Sequence, residues 1–278
     1  MSRGYSKKKH LGAYFIVPWS LLPIYWVINA SLQTDSQIVD TPSHLIPPTP
    51  TFHNYSALLS KGGDLSASIR RGTINIFIEC TAATIVTVVL AGLAAYAFSR
   101  MTFRGRGVLL FVVIATMAFP TYTTLIPLYR IMADFHLVNT YLGIVLCYVS
   151  GFLPLATWIL YSYMQSLPSA IEEAGKIDGA SKMQIFRLIV FPLTLPGIAS
   201  TAIITFLFAW AQFIFPLVLS SDDATQPLTV MIASIQGRHV ASFSLLSAAG
   251  VLALIVPAVI ALSANRFIVS GLISGSSK

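Results

Sequence analysis

The sequence predicts an all-α membrane protein, a bundle of six transmembrane helices, on three observations. Hydrophobic residues fill 55% of the 278 positions and charged residues only 10%, whereas about a quarter of a soluble domain is charged. The mean hydropathy is +0.77. Apolar stretches of about 20 residues recur along the chain, each long enough to cross a hydrocarbon core of roughly 30 Å. Runs of this length without strict alternation are helices, because barrel strands need only about 10 residues of period 2.

In chain order, the expected spans are Leu11 to Ala30, Thr73 to Phe98, Gly107 to Tyr129, Thr140 to Tyr163, Thr194 to Leu219 and Phe243 to Ala264. The first follows a basic start and continues without a small-residue cleavage site, so it is expected to be retained. Between the first two spans, Leu32 to Arg71 is rich in Pro, Ser and Thr and reads as an extended external loop with short turns. Pro120 and Pro127 in the third span and Pro154 in the fourth should kink or open those helices.

The formal charge of +7 does not imply a nucleic-acid partner, because the basic residues sit at the ends of the apolar runs and not along one polar face. With the N-terminus in the cytoplasm, 12 of the 17 basic residues fall inside: Arg3, Lys7, Lys8, Lys9, Arg100, Arg104, Arg106, Lys176, Lys182, Arg187, Arg266 and Lys278. Lys61, Arg70, Arg71, Arg130 and Arg238 fall outside. Both termini are therefore expected in the cytoplasm. Cys80 and Cys147 lie within apolar runs and read as small buried hydrophobes, with neither a zinc site nor a disulfide framework indicated. His136 and His239 lie in external segments without metal-ligand spacing.

The informative stretch lies between the fourth and fifth spans, from Leu167 through Glu172, Glu173, Ala174, Asp178, Gly179 and Ala180 to Pro192 and Pro196. Ser166 or Ser169 is expected to cap a short helix carrying Glu172 and Glu173 near its positive end. Gly179 permits a sharp reversal into a second short helix, and Pro192 and Pro196 mark the start of the next span.

This stretch resembles the EAA loop of ABC-importer permeases, matching its pattern at Glu173, Ala174, Asp178, Gly179, Ala180, Phe186, Pro192 and Pro196. It departs from the pattern at Gly175, where the family's second Ala usually stands. Gly there should loosen the helix by up to about 1 kcal/mol. The external run at residues 47–55, Ala94 to Arg100, and Arg266 to Leu272 extend the resemblance to the shorter permease of maltose-type carbohydrate systems. It implies a single transmembrane domain over residues 1–278, with a core of about 73–267, a cytoplasmic tail at 1–10 and the coupling loop at 166–193.

The resemblance further implies an importer subunit in a prokaryotic cytoplasmic (inner) membrane, taking up a sugar or oligosaccharide delivered by an extracytoplasmic solute-binding protein. Its partners would be a second homologous permease and two ATPase subunits. The chain shows no nucleotide-binding loop, so ATP and magnesium would be held by the ATPase and no cofactor by this chain. Glu172, Glu173, Ala174, Asp178, Gly179, Ala180, Met183 and Phe186 would couple the ATPase to the spans. Glu173 would make polar contacts, Ala174, Ala180, Met183 and Phe186 would supply packing, and Gly179 would set the angle between the short helices. The C-terminal tail from Arg266 to Lys278 would contact the ATPase, against a simple frayed end.

For the translocation path, the candidates are Asn75, Glu79, Trp210 and Gln212, with Trp158 and Tyr163 as further aromatics. Interfacial Trp and Tyr also serve as plain membrane anchors. Glu79 is the one carboxylate expected within a span, where it reads either as a ligand of the substrate path or as an interhelical hydrogen-bonding group. The family also includes glycerol-phosphate and polyol importers. An ion-coupled secondary transporter would need paired intramembrane acids or inverted repeats, and an intramembrane hydrolase would need a catalytic constellation that the spans lack.

Overall fold

The computed structural model describes residues 5–60, 62–238 and 242–276, with side chains described for most of 15–264. The terminal expectations at Arg3, Lys7, Lys8, Lys9 and Arg266 to Lys278 concern side chains outside the described residues. So do those at Lys61, Arg238 and His239. No strand occurs among the described residues. The helices are α1 (Tyr5–Ser31), α2 (Asp35–Val39), α3 (His53–Leu59), α4 (Asp64–Arg100), α5 (Arg106–Ala115) and α6 (Thr121–Asp134). They continue with α7 (Tyr141–Ser166), α8 (Ser169–Ile177), α9 (Lys182–Ile185), α10 (Phe191–Trp210), α11 (Ile214–Leu219), α12 (Leu228–Arg238) and α13 (Phe243–Ser276).

Among the described residues four helices are long and apolar enough to cross a membrane: Asp64–Arg100, Tyr141–Ser166, Lys182–Trp210 and Phe243–Ala264. The pair Arg106–Ala118 and Tyr122–Asp134 adds a fifth only if its two arms, bent by 103°, count as one span. The six spans expected from hydropathy are thus not all present as unbroken helices. The third breaks where Thr116–Ala118 tightens into a 3-10 turn and Pro120, at φ −63° and ψ 130°, caps the next helix in an extended conformation. The expected fifth span, Thr194 to Leu219, is shifted. Its helix starts at Lys182, passes through a π-helical turn at Phe186–Val190, and ends at Trp210 ahead of the separate α11.

The chain forms two compact units. The first comprises residues 1–71 and 230–256. Here the segment expected to be an extended loop contains α2 and α3 and is tied down by side-chain hydrogen bonds. Asn29 donates to the carbonyl of His44 at 2.9 Å, and Asn54 donates to those of Ser31 at 2.9 Å and Gln33 at 3.0 Å. Tyr25 donates to the carbonyl of Leu45. Asp35 accepts from the backbone N–H of Ser244 at 2.9 Å. Burial alone would raise the pKa of Asp35. The N–H groups of Ser244 and Phe243 and the hydroxyls of Ser242 and Ser244 outweigh burial and hold the carboxyl below its ordinary 3.8.

The second unit comprises residues 72–229 and 257–278. Tyr141 donates to Asn75 Oδ1 at 2.7 Å near one end of α7, and Arg100 donates to the carbonyl of Met164 at 2.7 Å near the other. These contacts make α4 and α7 parallel neighbours. Between them Ala91, Ala95, Ala156, Leu160 and Met164 form a buried cluster. Small residues let helix backbones approach closely, which is how spans associate where lipid offers no hydrophobic contrast. Gly197 of α10 does the same against α7, because a Cβ there would lie 2.7 Å from the Tyr163 ring. Tyr163 therefore serves helix packing.

Candidate coupling site and buried polar residues

Helix α8 and the turn after it form one rigid piece. The helix ends in a Schellman motif: the N–H of Ala180 donates to the carbonyl of Gly175 at 3.0 Å and that of Gly179 to Lys176 at 3.1 Å. Gly179 occupies the left-handed position at φ +78°, which costs a residue bearing a Cβ roughly 1–2 kcal/mol. Ser181 then caps α9. Its hydroxyl accepts from the N–H of Gln184 at 3.4 Å, and Gln184 Oε1 accepts from the N–H of Ser181 at 2.8 Å. The cap expected at Ser166 or Ser169 is absent: Pro168 occupies that position, and Ser166 donates back to Tyr163. Nor is the second short helix a free-standing element, since α9 runs on through the π-helical turn into α10.

The two faces of α8 differ sharply. Ala170, Glu173, Ala174 and Ile177 are exposed, Ile177 at 87%, and form a ridge at the i, i+3, i+4, i+7 spacing of one helix face. Glu172 and Gly175 point inward and are buried. At Gly175 an added Cβ would meet Ile189 Cδ1 at 2.8 Å and Ile185 Cγ1 at 3.5 Å. The expected loosening of the helix by Gly175 is therefore accompanied by close packing of α8 on the following segment.

Three anchors tie this piece to the spans. Glu172 Oε1 lies 2.6 Å from Arg100 Nε, at side-chain exposures of 12% and 13%. The approach is a charge contact at an angle poorly suited to a hydrogen bond. Arg100 Nη2 donates to the carbonyls of Met164 at 2.7 Å and Leu167 at 3.0 Å. One guanidinium thus joins the end of α4, the end of α7 and the inner face of α8. Phe186 packs on Tyr96 of α4 with ring centroids 4.7 Å apart, so it faces the unit's own helix. The third anchor is the continuous helix from α9 into α10. From the sequence, Arg100 reads as a topology charge and as the end of the Ala94 to Arg100 run, not as the partner of Glu172. No local pattern separates an arginine that merely ends a span from one that pairs with a distant carboxylate.

Glu173, Ala174, Asp178 and Gly179 are exposed, as is Met183, while Ala180 and Phe186 are half-buried. Beneath α8 lies a cavity of about 580 Å³ lined by Leu93, Tyr96, Arg100, Glu172, Lys182 and Met183, among others.

The path candidates are not gathered in one cavity. Asn75 is buried, donating to the carbonyls of Gln226 at 2.9 Å and Asp223 at 3.4 Å and accepting from Tyr141. That use of both ends of the amide marks a structural tie. Trp210 is 4% exposed and meets Phe77 edge-on with centroids 5.0 Å apart, while Phe206 stacks on it. Gln212 lies half-buried in the break between α10 and α11, where its carbonyl accepts from Thr229 at 3.1 Å. Glu79 is fully buried, with no hydrogen bond to either carboxyl oxygen among the described residues, and the Tyr148 hydroxyl is likewise unpaired. Cys80 and Cys147 are buried free thiols. Trp158 is half-exposed on α7 beside Tyr161. A separate cavity of about 460 Å³ lies beside the third-span bend, walled by Phe119, Phe152, Phe208 and Phe215 with Thr116 and Ser150.

The chain is thus a helical membrane protein in which α8, exposed on one face, is tied on the other to α4, α7 and α10. Residues 72–274 match the binding-protein-dependent transport system inner membrane component family, and the chain belongs to that family. It is thus a membrane-embedded transport subunit and not an enzyme. It is 34% identical over 265 residues to the trehalose transport system permease protein SugB of Mycobacterium tuberculosis, covering 95% of this chain and 94% of that one. It is also 34% identical over 269 residues to the trehalose/maltose transport system permease protein MalG of Thermococcus litoralis, covering 96% and 95%. The fold matches a chain in the crystal structure of a bacterial ABC transporter involved in the import of the acidic polysaccharide alginate. There the TM-score is 0.75 at 21% identity, covering 96% of this chain and 98% of that one.

Proposed function

We propose that this chain is the membrane subunit of an ATP-driven sugar importer and that α8 is the foot through which a separate ATPase moves the spans. One observation carries the reading: the exposed ridge of Glu173, Ala174 and Ile177 belongs to a helix whose opposite face is locked to α4, α7 and α10. A push on that ridge reaches three spans together, so a two-state bundle can be biased by a partner's closure. Glu173 supplies the polar contact, and Ala174 and Ile177 the close packing. Asp178 and Gly179 set the turn, while Ala180, Met183 and Phe186 buttress it. Glu172 acts from inside, through Arg100.

In this reading α8 and both termini face the cytoplasm of the inner membrane. A second, homologous permease completes the path, two ATPase subunits bind ATP and magnesium, and an extracytoplasmic binding protein delivers the solute. Curated relatives of nearly equal length carry the names of trehalose and maltose systems, which favours a neutral disaccharide over glycerol phosphate or a polyol. Of the path candidates, Gln212 in its helix break and the unpaired Glu79 keep free polar capacity, whereas Asn75 and Trp210 hold the fold together. The test is uptake of radiolabelled trehalose and maltose into proteoliposomes holding the complete complex, with the cognate binding protein and ATP on opposite sides. Uptake that needs both supports the reading. Uptake driven by an ion gradient without ATP rejects it.

A further inference from the structure

We propose that the cavity beneath α8 binds an anionic phospholipid, with the phosphate between Lys176 and Lys182 and one acyl chain along Leu93, Tyr96 and Met183. The inference rests on the reading that this end of the bundle faces the cytoplasm. The cavity, of about 580 Å³, has two chemically distinct parts. Its rim carries Lys176 and Lys182, both exposed, and neither has an acidic partner among the described residues. Arg100 adds no net attraction, because Glu172 neutralises it at 2.6 Å. The floor is apolar, with Leu93 at 54% exposure and Met183 at 64% beside the Tyr96–Phe186 ring pair.

Depth along α4 matches these parts to a lipid. Leu93 lies seven residues before Arg100, or about 10 Å at 1.5 Å per residue, which places the floor within the hydrocarbon when the charged rim sits at headgroup level. A water-soluble phosphate compound would find charge at the rim but no use for the floor. A neutral lipid would fill the floor and leave two lysines without a counter-ion. Basic pockets beside spans at the cytoplasmic surface take acidic headgroups by this combination. The volume holds the phosphoglycerol head and the upper part of one chain, with the rest in the surrounding bilayer. Because Lys176 is on α8 and Lys182 begins α9, a bound lipid would clamp the two sides of the Gly179 turn and stiffen the foot.

The test places the full complex in nanodiscs doped with photoreactive phosphatidylglycerol or, in parallel, photoreactive phosphatidylcholine, and maps labelled peptides by mass spectrometry. Expected is labelling around residues 93–101 and 183–186 by the anionic probe, exceeding the neutral probe roughly tenfold. That excess should vanish in K176Q/K182Q, persist in K176R/K182R and survive millimolar inorganic phosphate. Equal labelling by both probes, or undiminished labelling in the glutamine variant at unchanged melting temperature, overturns the lipid site. Displacement by inorganic phosphate also overturns it, in favour of a free anion. The side of the membrane is read separately by cross-linking the Glu173→Cys variant to the ATPase. Failure there removes the functional reading, whereas lost lipid selectivity with that cross-link intact removes only the lipid.

Discussion

Replacing Arg100 by Ala should release α8 from the bundle. The guanidinium pairs with Glu172 at 2.6 Å, at 13% and 12% exposure, and donates to two carbonyls at 2.7 and 3.0 Å. Removing one partner of a buried ion pair costs about 3–5 kcal/mol. The site borders an open cavity, which admits water to the abandoned carboxylate and favours the lower end. A local loss of about 3 kcal/mol corresponds to a roughly 100-fold larger open population. The assay is hydrogen exchange on the reconstituted complex, followed at the amides of Asp178 and Ala180, which close the α8 turn by donating to Ala174 and Gly175. In R100A those amides should exchange roughly 100-fold faster. E172Q should give a smaller acceleration, because the arginine keeps both carbonyls. If exchange in R100A stays within about twofold of wild type, the ion pair does not hold the foot and the force path through α4 is wrong.

Other outcomes follow from single positions. Gly179→Val forces a β-branched residue to φ +78°, so ATP hydrolysis should continue while uptake falls, seen by assaying both in the same proteoliposomes. Gly143→Ala puts a Cβ 2.1 Å from the carbonyl oxygen of Leu137, a backbone clash that should lower the melting temperature of the complex. Gly175→Ala comes closer than ordinary contact only to the flexible Cδ1 end of Ile189 and should melt close to wild type. Asp35, held below 3.8 by its hydrogen bonds, stabilises its contact with Ser244 fully at neutral pH and loses that contribution as pH falls below about 4. Asp35→Asn should remove this pH dependence from the exchange of the Ser244 amide.

The class of protein and the helix, turn, helix around Gly179 were legible in the sequence because both depend on local chemistry. Apolar run length reports a lipid environment, and Gly179 was readable as a reversal because few other residues accept a positive φ. The division of labour between Glu172 and Glu173 was not legible. Adjacent helical positions differ by about 100°, and which of them turns inward is decided by how Ile185 and Ile189 pack against Gly175. The bend before Pro120 was foreseeable as a kink, but its 103° depends on the preceding 3-10 turn, which hydropathy does not report. Asn75 and Trp210 read as path residues because amides and indoles suit sugars, but the contacts they make in the fold were not legible. Their partners are Tyr141 and the Asp223–Gln226 turn for Asn75 and Phe77 for Trp210, all of them far away along the chain.

The central claim is that the outer ridge of α8 meets a nucleotide-hydrolysing subunit. Glu173→Cys offers a direct test, because the two native thiols, Cys80 and Cys147, are buried and leave position 173 as the reactive one. A bifunctional maleimide added to inside-out vesicles of the full complex should join this position to the ATPase, with a yield that changes when ATP is bound. Labelling of the introduced thiol only from the extracellular side, or no adduct with the ATPase at any nucleotide state, contradicts the account.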